Sequence, residues 1–364
     1  MAGVAGLRLG AGVLVAVLAV STTAAAQPAG DAIRTAVLEE MGRRGIPGLS
    51  LAIVEAGVVR YEAGFGFADV ENAVRAKAET VYRLASVSKP ITAVAVLKLH
   101  EQGRLDLDAP VWRYCSDFPE KPWPVTSREL LCHQGGIRHY RPDEPTLTRR
   151  FASFAESLSL FRDDPLLHEP GTAVRYSTYG YNLLGCAAAG AAGTSFLALL
   201  QEAVFEPAGM VSTRDDDLRE LIPNRAQGYI RDGEGRLRNS ALADMSYKVP
   251  GGGLCATAAD VARFGSALVS GRLLQPATLD LMLTRQKTRD GRTTGYGLGL
   301  AVAERNGRLE ASHQGGQERV STVVYLAADR TVAERGRAIA ILTNLEGVQP
   351  QILALARTLA DQLW

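Results

Sequence analysis

A serine and a lysine three residues apart, Ser86 and Lys89, are the residues of this chain that point most directly to chemistry. They follow a mostly apolar run at residues 81–85. If a helix begins here, positions i and i+3 lie on one face, with Cβ atoms about 5–6 Å apart. A serine hydroxyl becomes a good nucleophile when a neighbour takes its proton, and a partly desolvated lysine can do so. The spacing therefore predicts that Lys89 activates Ser86, although many helices contain Ser-x-x-Lys by chance.

Two later segments could complete such a site. Tyr176 could act as a proton shuttle, because a tyrosine beside a lysine in a cleft can have its phenol pKa lowered. His313 precedes Gly315 and Gly316, just after a predicted strand. Glycines there let a ligand approach the backbone, whose N–H groups could stabilise an oxyanion. Taken alone, each segment is also explained by structure, as a core tyrosine and as a glycine-rich turn.

The elements that must position these residues form a simple order along the chain. Amphipathic helices are predicted near both ends, the first capped by Asp31. Strands are predicted in a hairpin around Ala56 and Gly57, in a second hairpin around Asn306 and Gly307, and in two further segments. The predicted helices are 31–44, 88–102, 179–189, 194–204 and 349–364, and the predicted strands are 49–54, 58–61, 299–303, 308–312, 321–327 and 337–343.

This order favours an α/β (α+β) fold in which an antiparallel sheet is flanked by N- and C-terminal helices. An all-helical lobe would be inserted into it. We expect the sheet part at about 27–85 and 255–364 and the helical lobe at about 86–254. Ser86 falls where the two parts meet, and a cleft between lobes is a common place for a small-molecule site.

The N-terminus is typical of an export signal. Arg8 precedes an apolar run at 9–20, and small residues at 21–26 predict cleavage after Ala26. This run is shorter than the roughly 20 apolar residues of a membrane span, which favours a signal peptide over an uncleaved anchor. We therefore expect a periplasmic or secreted protein, with no stable membrane span after cleavage.

Composition excludes several classes of partner. The net charge is +1 and apolar residues make up 46% of the chain. No basic run suggests a nucleic acid or an anionic membrane as partner, so we expect a small-molecule or peptide substrate and no nucleic acid. The histidines show no metal spacing; His100, His133, His139 and His168 are interpreted as structural or solvated.

Four cysteines allow three complete disulfide pairings in an exported protein. Cys115–Cys132 is the first choice, because a turn-rich segment joins them, and such a bridge could add about 3 kcal/mol. Cys186 and Cys255 complete the set. Buried free thiols that pack as small hydrophobic groups are the alternative.

In combination, the ordered motifs resemble the serine β-lactamase and penicillin-binding superfamily. The resemblance is greatest to the class C β-lactamase-related branch, which also contains D-Ala-D-Ala carboxypeptidases, esterases and the animal mitochondrial β-lactamase-like protein. Besides the segments around Ser86, Tyr176 and His313, it rests on residues 46–50, 130–137, 251–254, 257–260, 296–299 and 342–344.

The resemblance implies a β-lactamase/transpeptidase-like fold and a role for each matching residue. Ser86 would be acylated, Lys89 would activate it, and Tyr176 would be the general base or proton relay. His313 stands where many relatives have lysine and would help to hold a substrate carboxylate or the charge of the tyrosine. The backbone N–H groups of Ser86 and Gly316 would form the oxyanion hole. No cofactor or metal is implied.

One departure from the family limits the prediction. Thr178 stands where class C β-lactamases have the asparagine that binds the substrate's side-chain amide, and a hydroxyl cannot present an amide's paired donor and acceptor. This disfavours efficient β-lactam hydrolysis. We therefore expect an exported serine hydrolase of the penicillin-binding peptidase or D-Ala-D-Ala carboxypeptidase type, acting on small peptides, peptidoglycan fragments or esters. A carboxyl esterase, a β-lactamase and a catalytically silent peptide-binding module are the alternatives, in that order.

Overall fold

The computed structural model describes residues 1, 26–328 and 336–364. The predicted signal peptide falls almost entirely outside the described residues. The strands are β1 (Gly48–Glu55), β2 (Val58–Asp69), β3 (Val74–Arg75), β4 (Tyr82–Arg83), β5 (Arg214–Asp215), β6 (Tyr229–Arg231), β7 (Leu237–Asn239), β8 (Leu254–Ala256), β9 (Ala301–Arg305), β10 (Arg308–Gln317), β11 (Val320–Ala327) and β12 (Arg337–Thr343). Seven of them form one antiparallel sheet in the order β3-β2-β1-β12-β11-β10-β9.

Helices cover both faces of this sheet. They are α1 (Ala26–Arg44), α2 (Ser88–Glu101), α3 (Ser127–Leu131), α4 (Phe154–Leu158), α5 (Thr178–Ala192), α6 (Phe196–Leu200), α7 (Glu206–Ala208), α8 (Val249–Gly252), α9 (Ala258–Val269), α10 (Pro276–Leu283) and α11 (Gln349–Leu363). Helices α1 and α11 cover one face, and α9 packs on the other, beside the helical lobe. The α/β fold class with an antiparallel sheet is therefore confirmed. The inserted lobe is not all-helical as expected, because β5 and the paired strands β6 and β7 lie within it.

The central position of β12 in the sheet explains why its sequence is almost entirely apolar. Successive side chains of a strand point to opposite faces, and here both faces are covered by helices. Ala338, Ala340 and Leu342 belong to the core that contains α9 and the helical lobe. Ile339 and Ile341 belong to the core that contains α1 and α11. The two cores share this strand, so its position is fixed from both sides.

Three boundaries differ from the sequence-based expectations. Helix α1 begins at Ala26, so Asp31 lies inside the helix and is not its N-cap. Strand β2 continues to Asp69, beyond the predicted end. Strand β10 continues to Gln317, because its pairing with β11 extends through Gly316 opposite Ser321. The segment that begins with His313 is therefore the second half of a strand and not a turn after it.

The disulfide joins Cys115 to Cys186, so the Cys115–Cys132 pairing was wrong. Cys132 lies at the end of α3, where its thiol donates a hydrogen bond to the carbonyl of Arg128 at 3.3 Å. Burial raises the pKa of the Cys132 thiol to about 12. The observed bridge ties α5 to the loop that contains residue 115 and therefore fixes the helix that follows Tyr176.

Within the described residues, no individual helix is both long and apolar enough to span a membrane. Two consecutive helical segments, Thr178–Ala192 and Phe196–Ala208, are together long and apolar enough to span one, judged by length and composition only. They are bent by 82° relative to each other.

Candidate active site

Ser86 and Lys89 are in contact at the junction of the sheet and the helical lobe. Ser86 lies in a short 3₁₀ turn, Ala85–Val87, which leads directly into α2. The Nζ atom of Lys89 is 3.0 Å from the Oγ atom of Ser86, as the three-residue spacing predicts. The same Nζ lies 3.1 Å from Oγ1 of Thr178 and 2.5 Å from the carbonyl oxygen of Gly251. These three contacts join α2 to α5 and α8.

The environment of Lys89 favours its neutral form. The side chain is fully buried, and none of the described carboxylates forms an ion pair with it. Burial, and then the charge of Lys248, lower the pKa of Lys89 well below its usual value. A neutral amine has two N–H donors and one lone pair. The carbonyl of Gly251 can only accept, so it takes one N–H of Lys89, and Oγ1 of Thr178 can take the other. The lone pair of Lys89 is then available to accept the proton of the Ser86 hydroxyl.

The backbone before Ser86 is strained. Ala85 has φ of 49°, a left-handed conformation that is uncommon for a residue other than glycine. The sheet supports this turn, since Thr322 of β11 donates a hydrogen bond to the carbonyl of Leu84 at 2.7 Å. A Cβ on Gly315 of β10 would lie 2.4 Å from that carbonyl oxygen and 2.1 Å from Oγ1 of Thr322. Gly315 therefore allows β10 to approach the turn that contains Ser86.

Gly316 also lies in β10, one residue beyond this contact. A Cβ there would lie 1.8 Å from the side-chain nitrogen of Gln349, so a larger residue would require that side chain to move. The structure thus brings the Gly315–Gly316 segment beside the turn that contains Ser86.

Tyr176 lies beside both Ser86 and Lys89. Its ring is 4.9 Å from Nζ of Lys89, and it forms a hydrogen bond with Ser86. Although 41% of Tyr176 is exposed along the cleft, the crowded surroundings of its hydroxyl raise the phenol pKa, and the hydrogen bond with Ser86 offsets this only in part. Tyr176 is therefore a neutral phenol in the resting structure, contrary to the lowered pKa that a tyrosinate base requires.

His313 lies on the same side of the cleft and is also neutral. Its Nδ1 donates to the backbone carbonyl of Gln314 at 2.8 Å, and its Nε2 accepts a hydrogen bond from the hydroxyl of Tyr296 at 2.6 Å. Burial lowers the pKa of His313 to about 3. In this state the ring has no positive charge with which to hold a substrate carboxylate. Its ring centre is 6.4 Å from that of Tyr176.

Two further histidines surround Tyr176, and the sequence did not indicate this arrangement. The ring of His133 is 4.3 Å from the ring of Tyr176, and that of His139 is 5.6 Å from it. Nδ1 of His133 accepts from the N–H of Ser177 at 3.3 Å, and Nδ1 of His139 accepts from the N–H of Thr178 at 3.2 Å. These N–H groups have no partner within the helix. The two imidazoles thus anchor the start of α5.

Both imidazoles must be neutral to accept these hydrogen bonds. Burial lowers the pKa of His133 well below its usual value and that of His139 to about 4. The two histidines lie 44 and 39 residues before the N–H groups that they bind, separations that carry no recognisable sequence signal. His133 also has a φ of 60°, which its tertiary contacts explain.

A second buried lysine, Lys248, lies close enough to Lys89 to lower its pKa. Its Nζ is 4.9 Å from the ring centre of Tyr140, and Oε2 of Glu318 is 3.9 Å away. Burial lowers the pKa of Lys248 to about 8, although Glu318 raises it. No group of three or more His, Cys, Asp or Glu side chains in the described part of the chain is placed to hold a metal ion.

Comparisons with known proteins agree with this geometry. A family model described as beta-lactamase matches residues 33–362. The chain is 30% identical to the serine beta-lactamase-like protein LACTB, mitochondrial, of Homo sapiens, over 84% of this chain and 74% of that protein. It is 29% identical to penicillin-binding protein 4* of Bacillus subtilis, over 76% of this chain and 64% of that protein.

Among solved structures, the octameric penicillin-binding protein homologue from Pyrococcus abyssi is similar, with a TM-score of 0.77 and 26% identity. The similarity covers 91% of this chain and 77% of that chain. The matches extend over the sheet and the helical lobe alike.

Proposed function

Because the chain belongs to the beta-lactamase family of serine hydrolases, as its motifs predicted, we propose that it catalyses two-step acyl transfer through Ser86. The observation that carries this proposal is the 3.0 Å contact between Oγ of Ser86 and Nζ of Lys89, a buried amine without a carboxylate partner among the described residues. Its substrates would be peptide-like amides, as for a penicillin-binding peptidase or a D-Ala-D-Ala carboxypeptidase.

In the first step, neutral Lys89 takes the proton of the Ser86 hydroxyl while Oγ forms a bond with the substrate carbonyl carbon. The backbone N–H groups of Ser86 and Gly316 would stabilise the negative charge on the carbonyl oxygen. The proton then passes to the leaving amine or alcohol, with the Tyr176 hydroxyl as relay, and the bond to the leaving group breaks. In the second step, water attacks the acyl-enzyme, its proton passes to Lys89, and Ser86 is released with its proton restored.

A cavity lined by Arg175, the residue before Tyr176, and by Tyr296, the hydrogen-bond partner of His313, supports a carboxypeptidase. It has a volume of about 560 Å³ and is lined by Arg175, Arg292, Thr294 and Tyr296, among others. A peptide cleaved next to its C-terminus has a carboxylate on the leaving group, and guanidinium groups bind carboxylates well. Since His313 is neutral, the two arginines would supply this charge.

Thr178 supports slow rather than rapid turnover of β-lactams. Its Oγ1 already lies 3.1 Å from Nζ of Lys89. The hydroxyl therefore helps to position the lysine, and it cannot present the paired donor and acceptor with which an asparagine binds a substrate amide.

Export to the periplasm or the medium remains part of the proposal. The disulfide between Cys115 and Cys186 supports it, because disulfides persist in oxidising compartments. The apolar run at 9–20 and the small residues that follow it support it from the sequence.

The test of the proposed catalysis is the intact mass of the mature protein during incubation with a penicillin. We expect the protein to gain one penicillin mass and to retain it. Ser86→Ala should gain none, whereas Ser88→Ala is the matched control, since Ser88 is a buried neighbour that accepts a hydrogen bond from the N–H of Leu254. Rapid loss of the added mass with destruction of the drug would indicate a β-lactamase.

A chain that gains no mass from penicillin and cleaves short acyl esters would be an esterase. Failure to react with penicillins, esters and small peptides alike would overturn the proposal in favour of a silent binding module.

A further inference from the structure

Beyond Gly316, strand β10 ends in a turn that faces Lys248. Glu318 lies in this turn between β10 and β11, and its Oε2 is 3.9 Å from Nζ of Lys248. Lys248 immediately precedes α8, whose Gly251 carbonyl accepts the hydrogen bond from Lys89. The pair therefore spans the cleft from the sheet to the helical lobe, next to the nucleophile.

This ion pair is buried but poorly bonded. The Lys248 side chain is 1% exposed and that of Glu318 is 15% exposed. Within the described residues, Oε2 of Glu318 has no hydrogen-bond partner, and its 3.9 Å distance from Nζ of Lys248 is too long for a direct hydrogen bond. The ammonium instead lies over the rings of Tyr140 and Tyr247, at 4.9 and 5.1 Å from their centres. Buried charges without good hydrogen bonds are costly, so a bridging polar group would be bound favourably.

The location assigns this pair to the acyl part of the substrate. The leaving group must lie near its proton donor, Tyr176, and near the cavity that contains Arg175 and Tyr296. The acyl part then extends in the opposite direction along β10, past Gly316 and towards Glu318. Thr178 lies beside Lys89 at the start of this path, since its Oγ1 is 3.1 Å from Nζ of Lys89.

The spacing of the two charges defines the chemistry of a group that could bridge them. It must accept a hydrogen bond from Lys248 and donate one to Glu318 from the same edge. A primary carboxamide does this, because its carbonyl oxygen and one N–H point in the same direction. The secondary amide of a trans peptide bond presents them in opposite directions. A carboxylate would be repelled by Glu318, an ammonium would be repelled by Lys248, and an alkyl chain satisfies neither.

We propose that Lys248 and Glu318 form an acyl-side subsite that selects substrates with a primary carboxamide on the acyl residue, such as an asparagine or glutamine side chain. The inference rests on the proposed function for its placement relative to Ser86. It predicts a specificity that the family's motifs do not specify, and it distinguishes a peptidase from an enzyme of simple acyl esters.

The experiment compares kcat/KM for nitroanilides or nitrophenyl esters of N-acetylated glutamine, glutamate and norleucine, in both stereochemical series. We expect the purified protein to prefer glutamine over norleucine by about 10²-fold or more, because unpaired polar groups in the site penalise the apolar analogue. The preference should fall to within about threefold of unity in Lys248→Met and in Glu318→Ala.

A double variant, Lys248→Met with Glu318→Leu, keeps the test valid if a single charge left alone impairs folding, because removal of both partners is far better tolerated. Lys98→Met is the matched control, since Lys98 is paired with Glu101 on α2 at 3.2 Å. It should retain the preference.

Binding of N-acetylglutamine amide and N-acetylnorleucine amide to Ser86→Ala, measured by calorimetry, separates the two proposals. Tight binding of the glutamine compound without turnover by the unmodified protein would support the subsite and contradict the proposed catalysis. Equal affinity for both compounds, or a preference for glutamate, would overturn the carboxamide subsite even if Ser86 is acylated.

Discussion

The two ends of the cleft differ in charge. At the end that would receive the leaving group, Tyr176, His313 and Tyr296 are neutral, and Tyr296 donates to His313 at 2.6 Å. At the acyl end, Lys248 and Glu318 form a buried ion pair at 3.9 Å. The first end is hydrogen-bonded within the protein, whereas the second leaves hydrogen-bonding groups unsatisfied.

This difference shows how one site can both activate a nucleophile and select a substrate. Because the groups around Tyr176 are neutral, they can pass a proton to the leaving group. None of them carries a charge that would retain the proton. The Lys248 charge lowers the pKa of Lys89, while its poor pairing with Glu318 leaves it free to bind a ligand. Catalysis would depend on Lys89 and on the neutral groups around Tyr176, and selection of the acyl part would depend on the Lys248–Glu318 pair. The charges of Arg175 and Arg292 would act only in binding the leaving group.

Lys89 contacts Ser86 between the two ends of the cleft. Lys89→Met should therefore have the largest effect on activity. We expect kcat/KM to fall by about 10²–10⁴-fold for every substrate, because the general base is lost. The free energy of unfolding should change little, because the gain from replacing a buried unpaired amine with an apolar side chain is offset by the loss of its hydrogen bonds to Thr178 and Gly251. Kinetics and urea denaturation measure the two quantities.

Lys98→Met, on the same helix, serves as the control for Lys89→Met. If Lys89→Met retained activity within about tenfold, Tyr176 rather than Lys89 would be the base, and the neutral end would suffice for catalysis.

A change at the midpoint of the cleft should have a smaller effect on both ends together. In Gly315→Ala, the new Cβ would lie 2.4 Å from the carbonyl oxygen of Leu84, so β10 must move away from the turn that contains Ser86. We expect a loss of about 1–3 kcal/mol in the free energy of unfolding. Turnover of glutamine and norleucine substrates should fall equally.

Gly233→Ala, in the turn between β6 and β7, is the matched control, because nothing lies within 4 Å of its Cβ position. A change in substrate preference in Gly315→Ala would mean that the strand positions the acyl end alone.

The smallest effect concerns the neutral end and depends on pH. The pKa of His139 is lowered to about 4 in the folded protein, from an unperturbed value of about 6.5. Between these values the unfolded chain binds more protons than the folded one, so stability falls as the pH falls from about 6.5 towards 4. His139→Asn, whose side-chain oxygen can still accept from the N–H of Thr178, should reduce this dependence. Melting temperatures from about pH 7.5 to 4.5 test it; parallel profiles for the two proteins would contradict the neutral state of His139.

The sequence was sufficient to predict the parts of this molecule that depend on local spacing. Ser86 and Lys89 are three residues apart, and their contact follows from helical geometry alone. The hairpin around Asn306 and Gly307 and the terminal helix also follow from local patterns. The superfamily followed from the order of several short motifs, each of which is weak alone.

The remaining features depend on how distant segments pack. Lys248 and Glu318 are 3.9 Å apart, but nothing in either local sequence indicates the other. The positions of His133 and His139 beside Tyr176 also depend on the fold of the helical lobe. The cysteine pairing failed for the same reason, because proximity in the chain favoured Cys132 and tertiary packing favours Cys186.

The pairing of β1 with β12 has a consequence for synthesis of the protein. Leu49, near the start of the chain, is opposite Thr343, near its end. The hairpin of β1 and β2 therefore leaves the ribosome long before the strand that completes the sheet. Until β12 emerges, β1 presents an open and apolar edge that can pair with another nascent chain. We therefore expect slow translation or C-terminal truncation to favour aggregation, and a chaperone that covers this hairpin to improve the yield.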